Sequence, residues 1–352
     1  MALGDGKQQF EASLSNDLNN RMTSNKTPAS ADPYLWHEGE RAMQDVAGMR
    51  AALEQRGGAV LRDHMPDQHR GFFAQRQQIY LSLLDQAGRP WATLLEGEVG
   101  FITSPHPRIL AIAALPDVED PARAGMSNGA PIGVLGIEFA TRRRNRLNGE
   151  ILYAVGAKGF MVQVAQSFGN CPQYIQSRQL AAALTDTDQT YPSAAPERSS
   201  LLLAAHVELI DKADTFFIAS RSPAPGLARS EGLDMSHRGG LPGFVRVESE
   251  RRLMFPDYRG NFYFNTLGNL RLDPRCGLLF VDFTTGATLQ LIGRGSVLDG
   301  PANRKMWPGA ERAVAFDIQG AVLTARRSRL RFDFESYAPQ LERLARQSIQ
   351  DA

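Results

Sequence analysis

Residues 133–149 read GVLGIEFATRRRNRLNG and residues 277–293 read GLLFVDFTTGATLQLIG, and the two stretches align without a gap. The matched positions are the glycines at both ends, Leu135 with Leu279, Phe139 with Phe283, Thr141 with Thr285, Leu147 with Leu291, and the acidic pair Glu138 and Asp282. A duplicated β unit is typical of two copies that pack face to face, with a ligand site in the seam between them. The chain is therefore predicted to contain the same β unit twice.

A weaker second pairing sets residues 85–93, DQAGRPWAT, against residues 234–242, DMSHRGGLP. We expect these two stretches to be a second, less conspicuous part of the same repeat.

The bulk composition limits the possible functions. The 352 residues, 43% of them apolar, predict two domains of ordinary size plus tails. A net charge of +1 argues against a nucleic-acid scaffold. The sequence has no apolar run long enough to span a bilayer and no signal-peptide pattern, so we expect no membrane partner and a cytoplasmic location. The two cysteines exclude a disulfide framework and a cysteine-rich metal site.

Short apolar or β-branched runs alternate with Gly, Pro and Asp through both halves, a pattern that favours a barrel or sandwich. The predicted fold class is mainly β, with flanking helices. The predicted segments are a flexible tail (1–32), a helical lead-in (33–70), a first barrel (71–184), a linker and helix (185–213), and a second barrel with a C-terminal helix (214–352). In the lead-in, apolar residues at helical spacing predict one amphipathic helix that stops at Gly57 and Gly58.

The densest functional signal lies in residues 236–269, SHRGGLPGFVRVESERRLMFPDYRGNFYFNTLGN. Gly-rich turns followed by Asn265, Thr266 and Asn269 would bring backbone N–H groups and short polar side chains together around an anion such as phosphate. The alternative is a set of hairpin turns whose Gly and Asn only supply unusual backbone angles.

The segment FYFNTLGNLRLDPRCGLLFVDF, residues 262–283, resembles the pyridoxamine 5'-phosphate oxidase-like family of flavin-binding split barrels. The resemblance implies that FMN is the cofactor, with Asn265 and Thr266 in the turn over its phosphate. Asn269 would take a serine position, Arg271 a basic position and Arg252 an upstream arginine position. Asp257 stands where the family has a lysine, so Arg259 or an arginine of the other copy would have to compensate. The FMN-binding residues implied in this way are Ser236, His237, Arg238, Arg252, Arg259, Asn261, Asn265, Thr266, Asn269 and Arg271.

The motifs SHRGGLPGFV, FPDYRGN, FNTLGNL, TRRRNRLNG and QSFGNCPQYI together resemble a long, two-copy subgroup of that family, over residues 32–337. The resemblance implies two tandem FMN-binding split β-barrels related by a pseudo-two-fold axis, with one FMN at the seam. The first copy has no counterpart of FNTLGN, since residues 114–131 are acidic and loop-like. We therefore expect the first copy to be degenerate and to contribute walls.

Other residues leave alternatives open. Arg142, Arg143, Arg144 and Arg146 form either a solvated hairpin or a basic cluster that reaches the FMN phosphate or an anionic nicotinamide cofactor. Cys171 is better explained as a packed thiol than as a nucleophile. His237 and Arg238 form either a capped turn or a group that tunes the flavin ring. We expect no metal site, because WHEGE at residues 36–40 is not H-E-x-x-H and instead predicts an exposed helix start.

The predicted function is that of an FMN-binding flavoprotein, an oxidoreductase acting with NADH or NADPH or with a small oxidisable substrate. The sequence identifies no catalytic acid or base. One alternative is a non-catalytic flavin or haem carrier or sensor, and another is a scaffold that has lost its cofactor. A homodimer is possible, although an internal pseudo-dimer could remain single.

Overall fold

The computed structural model describes residues 34–152, 158–182, 194–223, 228–300 and 302–350. The predicted tail, 1–32, and the first part of the predicted linker lie outside these ranges. Within the described ranges, no helix is both long enough and apolar enough to cross a membrane.

The helices are short and lie around a mainly β structure. In chain order they are α1 (Glu38–Val46), α2 (Arg50–Val60), α3 (Asp67–Ala74), α4 (Ala204–Lys212), α5 (Asn265–Leu272), α6 (Ala302–Met306) and α7 (Pro339–Gln350), with one 3₁₀ turn at Pro121–Gly125. The single lead-in helix predicted to stop at Gly57 and Gly58 is wrong. The break falls at Gly48, whose φ of 66° is typical of a residue that ends a helix, and α2 continues past both later glycines.

The strands fall into two groups along the chain. The first group is β1 (Gln78–Leu84), β2 (Pro90–Glu96), β3 (Ile102–His106), β4 (Ile109–Ile112), β5 (Pro131–Glu138), β6 (Arg143–Leu152), β7 (Phe160–Asn170) and β8 (Ser177–Ala182). The second group is β9 (Glu197–Ser199), β10 (Thr215–Ser222), β11 (Gly232–Gly239), β12 (Arg246–Ser249), β13 (Arg252–Tyr258), β14 (Arg275–Val281), β15 (Thr288–Leu298), β16 (Ala310–Thr324) and β17 (Arg331–Ser336).

The two large sheets have the same strand order. The first runs β2-β1-β5-β6-β7-β4-β3 and the second runs β11-β10-β14-β15-β16-β13-β12, so each of these seven strands has a counterpart in the other sheet. The second sheet also includes β9, which pairs with β16. Neighbouring strands are antiparallel throughout. The predicted mainly β class, with antiparallel barrel-type sheets, is confirmed.

Strand register agrees with the ungapped alignment of 133–149 with 277–293. Leu135 lies opposite Arg146 in the first sheet, and Leu279 lies opposite Gln290 in the second. The next strand pair breaks register at Asn148/Gly149 in the first sheet and at the aligned Ile292/Gly293 in the second. Because a bulge shifts every later side chain, its recurrence at one aligned position supports the predicted duplication.

The second, weaker repeat pairing is wrong by six residues. Val134 lies opposite Leu81, which lies opposite Thr93. The aligned Leu278 lies opposite Ile218, which lies opposite Ser236. Thr93 therefore corresponds to Ser236, whereas the sequence pairing had set it against Pro242.

The same register reveals a repeat that the sequence analysis missed, GEVGF at 97–101 and GLPGF at 240–244. Gly100 and Gly243 both have positive φ, 95° and 81°. A Cβ on Gly97 would lie 2.4 Å from Phe101 Cγ, and one on Gly240 would lie 2.2 Å from Phe244 Cγ. Both turns thus need a glycine that the following phenylalanine covers.

Each half has its own apolar core, and a third core joins them. In this joining core, here called the seam, the rings of Tyr80 and Phe217 stack with centroids 3.6 Å apart. The rings of Phe139 and Phe283 meet edge to face at 5.1 Å. In each pair the two residues occupy corresponding strand positions, so the halves meet through like surfaces.

Two aligned glycines allow the sheets to approach at the seam. A Cβ on Gly133 would lie 3.0 Å from backbone atoms of β11, and one on Gly277 would lie 2.4 Å from the Pro90 carbonyl oxygen in β2. The packing of glycine against the partner half explains why this position is glycine in both copies.

We predict that Gly277→Ala lowers the free energy of unfolding by about 1–3 kcal/mol, because the added methyl forces the halves apart. Urea unfolding monitored by circular dichroism measures this change. Gly71→Ala, in α3, is the control, since a Cβ there meets nothing within 4 Å and alanine favours the helix. Equal stability of Gly277→Ala and wild type would contradict the close packing.

Candidate functional site: an arginine-lined cleft between the halves

A cleft of about 840 Å³, counting the space open to solvent, lies where β6 and the segment after β7 of the first half face the second half. The second half contributes the end of β11, the end of β13 and the start of α5. Six of the predicted FMN-binding residues line it: Ser236, His237, Arg238, Asn261, Asn265 and Thr266. The structure thus brings the SHRGG and FNTLGN motifs to one place.

Four predicted residues do not line the cleft. Asn269 is fully buried beneath it and donates to Asp234 Oδ2 at 2.8 Å. Arg259 lies over the Phe262 ring, 5.2 Å from its centroid. Arg252 pairs with Asp317 at 3.3 Å, and Arg271 pairs with Asp299 at 3.3 Å.

The distances along β13 and α5 explain why Arg252 and Arg271 are elsewhere. Arg252 begins β13, whereas Pro256, Asp257 and Tyr258 at the other end of that strand line the cleft. A strand rises about 3.3 Å per residue, which separates the two ends by roughly 20 Å. Arg271 lies in the last turn of α5, and the cleft is at its first turn.

Arginines of the first half enter the cleft. Arg144 and Arg146 of β6 line it together with Arg238 of β11. The basic cluster at 142–146 is compatible in sequence with a solvated hairpin or with an anion site, and in the structure its members separate. Arg142 donates to the Ile175 carbonyl oxygen, and Arg143 lies 4.9 Å above the Phe72 ring, so these two do not line the cleft.

The three cleft arginines lack full hydrogen bonding. Among the described residues, the buried Nε atoms of Arg144, Arg146 and Arg238 have no hydrogen-bond partner. Burial, together with the neighbouring Arg146 and Arg238, lowers the pKa of Arg144 to about 9, although part of its side chain stays open to the cleft. Burial also lowers the pKa of Arg146, against the opposing effect of Asp234, and that of Arg238. Adjacent cations with unpaired donors favour an anionic ligand.

His237 is held in one neutral form by this environment. Its Nδ1 lies 3.2 Å from Arg144 Nη1, and a guanidinium can only donate, so Nδ1 accepts and we assign the ring proton to Nε2. Burial, followed by the positive charges of Arg144 and Arg238, keeps its pKa well below the usual value. His237 is therefore suited to hydrogen bonding and not to proton transfer near neutral pH.

Asp257, at the position where the resemblance led us to expect a lysine, faces basic residues on both sides. Arg312 Nε donates to its carboxylate at 3.1 Å, and Arg238 lies 4.0 Å away. Burial raises the pKa of Asp257, against the opposing effect of these two arginines. Two arginines of the second half, Arg238 and Arg312, thus lie beside the position where a lysine was expected.

The rim of the cleft is formed by aromatic residues, three of which have a strained backbone. Tyr174 and Tyr258 stack with ring centroids 5.2 Å apart. Tyr174, Phe262 and Phe264 have positive φ of 63°, 63° and 60°, which side-chain-bearing residues rarely adopt. Such strained residues cluster at ligand sites.

A smaller counterpart of about 390 Å³, counting the space open to solvent, lies where Asp120 of the first half faces Gln290, Thr324 and Arg327 of the second half. Gln290 corresponds to Arg146 and donates to Asp120 Oδ1 at 3.1 Å, and Arg327 lies 3.9 Å from the same carboxylate. The carboxylate of Asp120 thus accepts the hydrogen bond of Gln290 and pairs with Arg327, so these groups are not free to bind an anion.

The element beside the counterpart also differs. The second half has α5 between β13 and β14, whereas the first half has only the 3₁₀ turn Pro121–Gly125 between the corresponding β4 and β5. The Asp120 side chain caps that turn by accepting from Ala122 N at 2.9 Å.

Residues 202–338 match the family model described as pyridoxamine 5'-phosphate oxidase. This segment belongs to the pyridoxamine 5'-phosphate oxidase family. The match contains β11, β13 and α5, and therefore the second-half wall of the cleft. It confirms the family resemblance inferred from residues 262–283, while the two-copy subgroup stays a prediction.

Among solved structures, the chain is similar to a putative pyridoxamine 5'-phosphate oxidase from Lactobacillus delbrueckii, with 15% identity, coverage of 35% of this chain and 94% of that one, and a TM-score of 0.27. It is also similar to an FAD-binding protein from Mesorhizobium loti, with 13% identity, 38% and 99% coverage, and a TM-score of 0.25. An FMN-binding protein from Syntrophomonas wolfei matches with 8% identity, 33% and 86% coverage, and a TM-score of 0.24. None of the curated proteins matches the chain.

We predict that sulfate raises the unfolding midpoint of the wild type more than that of Arg144→Met, because sulfate accepts the unpaired guanidinium donors. Thermal unfolding in sulfate and in chloride at equal ionic strength measures this difference. Sulfate also stabilises proteins non-specifically, so Arg143→Met, one residue away and outside the cleft, is the matched control. Equal sulfate responses in both variants would contradict an anion site.

Proposed function

We propose that the cleft binds FMN, with the phosphate against Arg144, Arg146 and Arg238, and that the protein uses the bound flavin as an oxidoreductase. The observation that carries the proposal is the convergence of three arginines from both halves on one cleft, each with a buried Nε that has no partner among the described residues. A phosphate dianion accepts several charge-assisted hydrogen bonds and would satisfy such donors.

The other walls suit the rest of the ligand. The cleft is concave and combines apolar and aromatic side chains with a few convergent polar groups, as small-molecule and cofactor sites do. The Tyr174–Tyr258 pair offers a flat aromatic surface against which a planar ring can stack. Ser236 and Thr266, joined by a 3.0 Å hydrogen bond, add hydroxyl groups beside the arginines.

A bound flavin would supply the electron transfer chemistry, and the chain would supply position and charge. His237, neutral and buried, supports a hydrogen-bonding or ring-orienting role over one as a general acid. The positive charges of Arg144 and Arg238 would stabilise an anionic ligand. No residue of the cleft is assigned as catalytic acid or base.

We also propose that the two sheets are tandem split barrels related by a pseudo-two-fold axis, with one flavin per chain. Matched strand order, register and bulge position support the duplication. The occupation of the counterpart cleft by Asp120 supports a single site.

We predict that FMN binds at least about 100-fold more tightly than riboflavin, because riboflavin lacks the phosphate and each charge-assisted hydrogen bond contributes about 1.5–3 kcal/mol. Quenching of flavin fluorescence measures both affinities. Arg144→Met and Arg238→Met should each remove most of this preference.

Arg143→Met is the control and should retain the preference. Equal affinity for FMN and riboflavin in the wild type would argue against a phosphate site at the arginines. A protein that binds neither flavin would refute the flavin proposal as a whole and favour a scaffold that has lost its cofactor.

A separate experiment tests whether the bound flavin takes part in oxidoreductase chemistry. We predict that NADH or NADPH, mixed anaerobically with the FMN-loaded protein, bleaches the flavin absorbance near its visible maximum, and that admission of oxygen restores it. Arg238→Met should slow the bleaching if an anionic nicotinamide cofactor enters the same cleft. Stable absorbance with both reductants would instead indicate a flavin carrier or sensor.

A further inference from the structure

The side chains behind the arginine cleft form a closed ring of hydrogen bonds, here called the buried ring. Its members are His37 and Glu40 of the α1 region, Asn265 and Asn269 of α5, Arg146 of β6 and Asp234 of β11. His37 and Glu40 lie at a helix start, as expected, but the expected exposure of that start is wrong, since they are 3% and 0% exposed.

One side of the buried ring connects the cleft to the lead-in helix. Arg146 Nη1 donates to Asn265 Oδ1 at 3.1 Å, and Asn265 Nδ2 donates to Glu40 Oε1 at 2.5 Å. Asn265 lines the cleft, so the two ends of its amide are oriented by an arginine on one side and by Glu40 on the other.

The other side closes through Asp234. Arg146 Nη2 donates to Asp234 Oδ1 at 2.5 Å, and Asn269 Nδ2 donates to Asp234 Oδ2 at 2.8 Å. His37 Nε2 lies 2.9 Å from Asn269 Oδ1, and the His37 backbone N–H donates to Glu40 Oε2 at 3.1 Å. Each step of the ring is thus within hydrogen-bond distance.

The helices that carry the ring are in backbone contact. A Cβ on Gly39 would lie 2.1 Å from the Gly268 carbonyl oxygen, and one on Gly268 would lie 2.7 Å from Glu40 N. This close approach holds α1 against α5 and fixes Glu40 relative to Asn265. A charge on Glu40 is therefore presented at a fixed position behind the cleft.

The charges of the ring balance only if Glu40 is neutral. The charged or titratable groups that face Glu40 are His37, Asp234 and Arg146. Arg146 and Asp234 form an ion pair, and burial lowers the pKa of His37 to about 4, so His37 is neutral at physiological pH. Burial, reinforced by Asp234 and opposed by hydrogen bonds from Ser230, Asn265 and the His37 N–H, raises the pKa of Glu40 to about 8.

We propose that Glu40 is a positioning residue of the arginine cleft, whose protonated carboxyl orients the Asn265 amide and whose ionisation opposes the binding of an anion. The inference deepens the proposed function and rests on its claim that the cleft holds an anionic group. It assigns a role to the helical lead-in, which lies outside the segment matched by the family model.

Glu40 also completes the capping box of α1 with His37. A glutamine can replace glutamate in a capping box, so this structural role needs no proton. A dependence of anion affinity on the ionisation of Glu40 would not follow from capping alone.

The sign of the effect follows from the raised pKa. Below about pH 8 Glu40 is protonated and the ring is neutral, whereas above it Glu40 adds a negative charge behind Arg146. Anion affinity therefore falls as pH rises through 8. If binding requires the protonated form, affinity at pH 9 is about tenfold lower than at pH 7.

The test uses sulfate, whose charge is constant over this pH range. Affinity is obtained from the dependence of the unfolding midpoint on sulfate concentration at pH 7 and pH 9, for the wild type, Glu40→Gln and Glu38→Gln. Glu38 is on the same helix but exposed, which makes its substitution the matched control. Any loss of charge on Arg144, with its pKa of about 9, affects all three proteins alike and cancels in the comparison.

The expected result is an additional tenfold weakening at pH 9 in the wild type and in Glu38→Gln that is absent in Glu40→Gln. Equal pH dependence in all three proteins would overturn the inference. FMN binding is measured in parallel: sulfate binding with the expected pH dependence but no FMN binding would refute the proposed function and leave this inference standing.

A second measurement needs no variant. Calorimetry of sulfate binding to the wild type at pH 8.5, in buffers with different heats of ionisation, gives the number of protons taken up. The expected uptake is a large fraction of one proton at pH 8.5, above the smaller fraction that Arg144 with its pKa of about 9 would supply, and near zero at pH 6.5. An absence of uptake at pH 8.5 would overturn the inference even if Glu40→Gln did not fold.

Discussion

The apolar seam between the two sheets is the contact on which the rest of the structure depends. Tyr80 stacks on Phe217. Gly133 allows the first sheet to approach β11, and Gly277 allows the second sheet to approach β2. Because interiors are packed to high density, this contact leaves little freedom in the relative position of the halves. The seam therefore fixes β6 of the first half beside β11 of the second and brings arginines distant in sequence into one cleft.

Local pattern was enough to predict the fold class and an alignment of 133–149 with 277–293 that agrees with strand register, because strands and turns depend on neighbouring residues. Thr93 was aligned with Pro242 because the two stretches have similar turn residues. The strand register shows that its counterpart is Ser236. The sequence predicted only the second-half side of the cleft. Its SHRGG and FNTLGN motifs lie on one continuous segment, whereas Arg144 reaches them only through the seam. Arg252 was assigned to the FMN site because of a family pattern. It lies at the start of β13, however, and only the other end of that strand lines the cleft.

Holding several arginines near one another without a full set of partners is unfavourable for the folded protein. An unsatisfied buried donor costs about 1–3 kcal/mol, and like charges add to this cost. The apolar cores and the seam offset it, and a ligand that satisfies the donors stabilises the folded state by mass action. The same reasoning applies to Glu40, where burial without a cationic partner favours the protonated form. Ligand affinity and stability are therefore linked in this region.

The two halves differ in that, within the part of the chain that the structure describes, only one of the two corresponding clefts has unpaired arginine donors. In the counterpart cleft, Gln290 and Asp120 satisfy each other, so that corner needs no ligand to complete its hydrogen bonds. The first half still provides a wall of the arginine-lined cleft, because Arg144 and Arg146 are on β6 and face the second half. One half can thus lack an open cleft of its own while its strands support the cleft of the other. The seam preserves this support, since any change that shifts one half moves both walls of the remaining cleft.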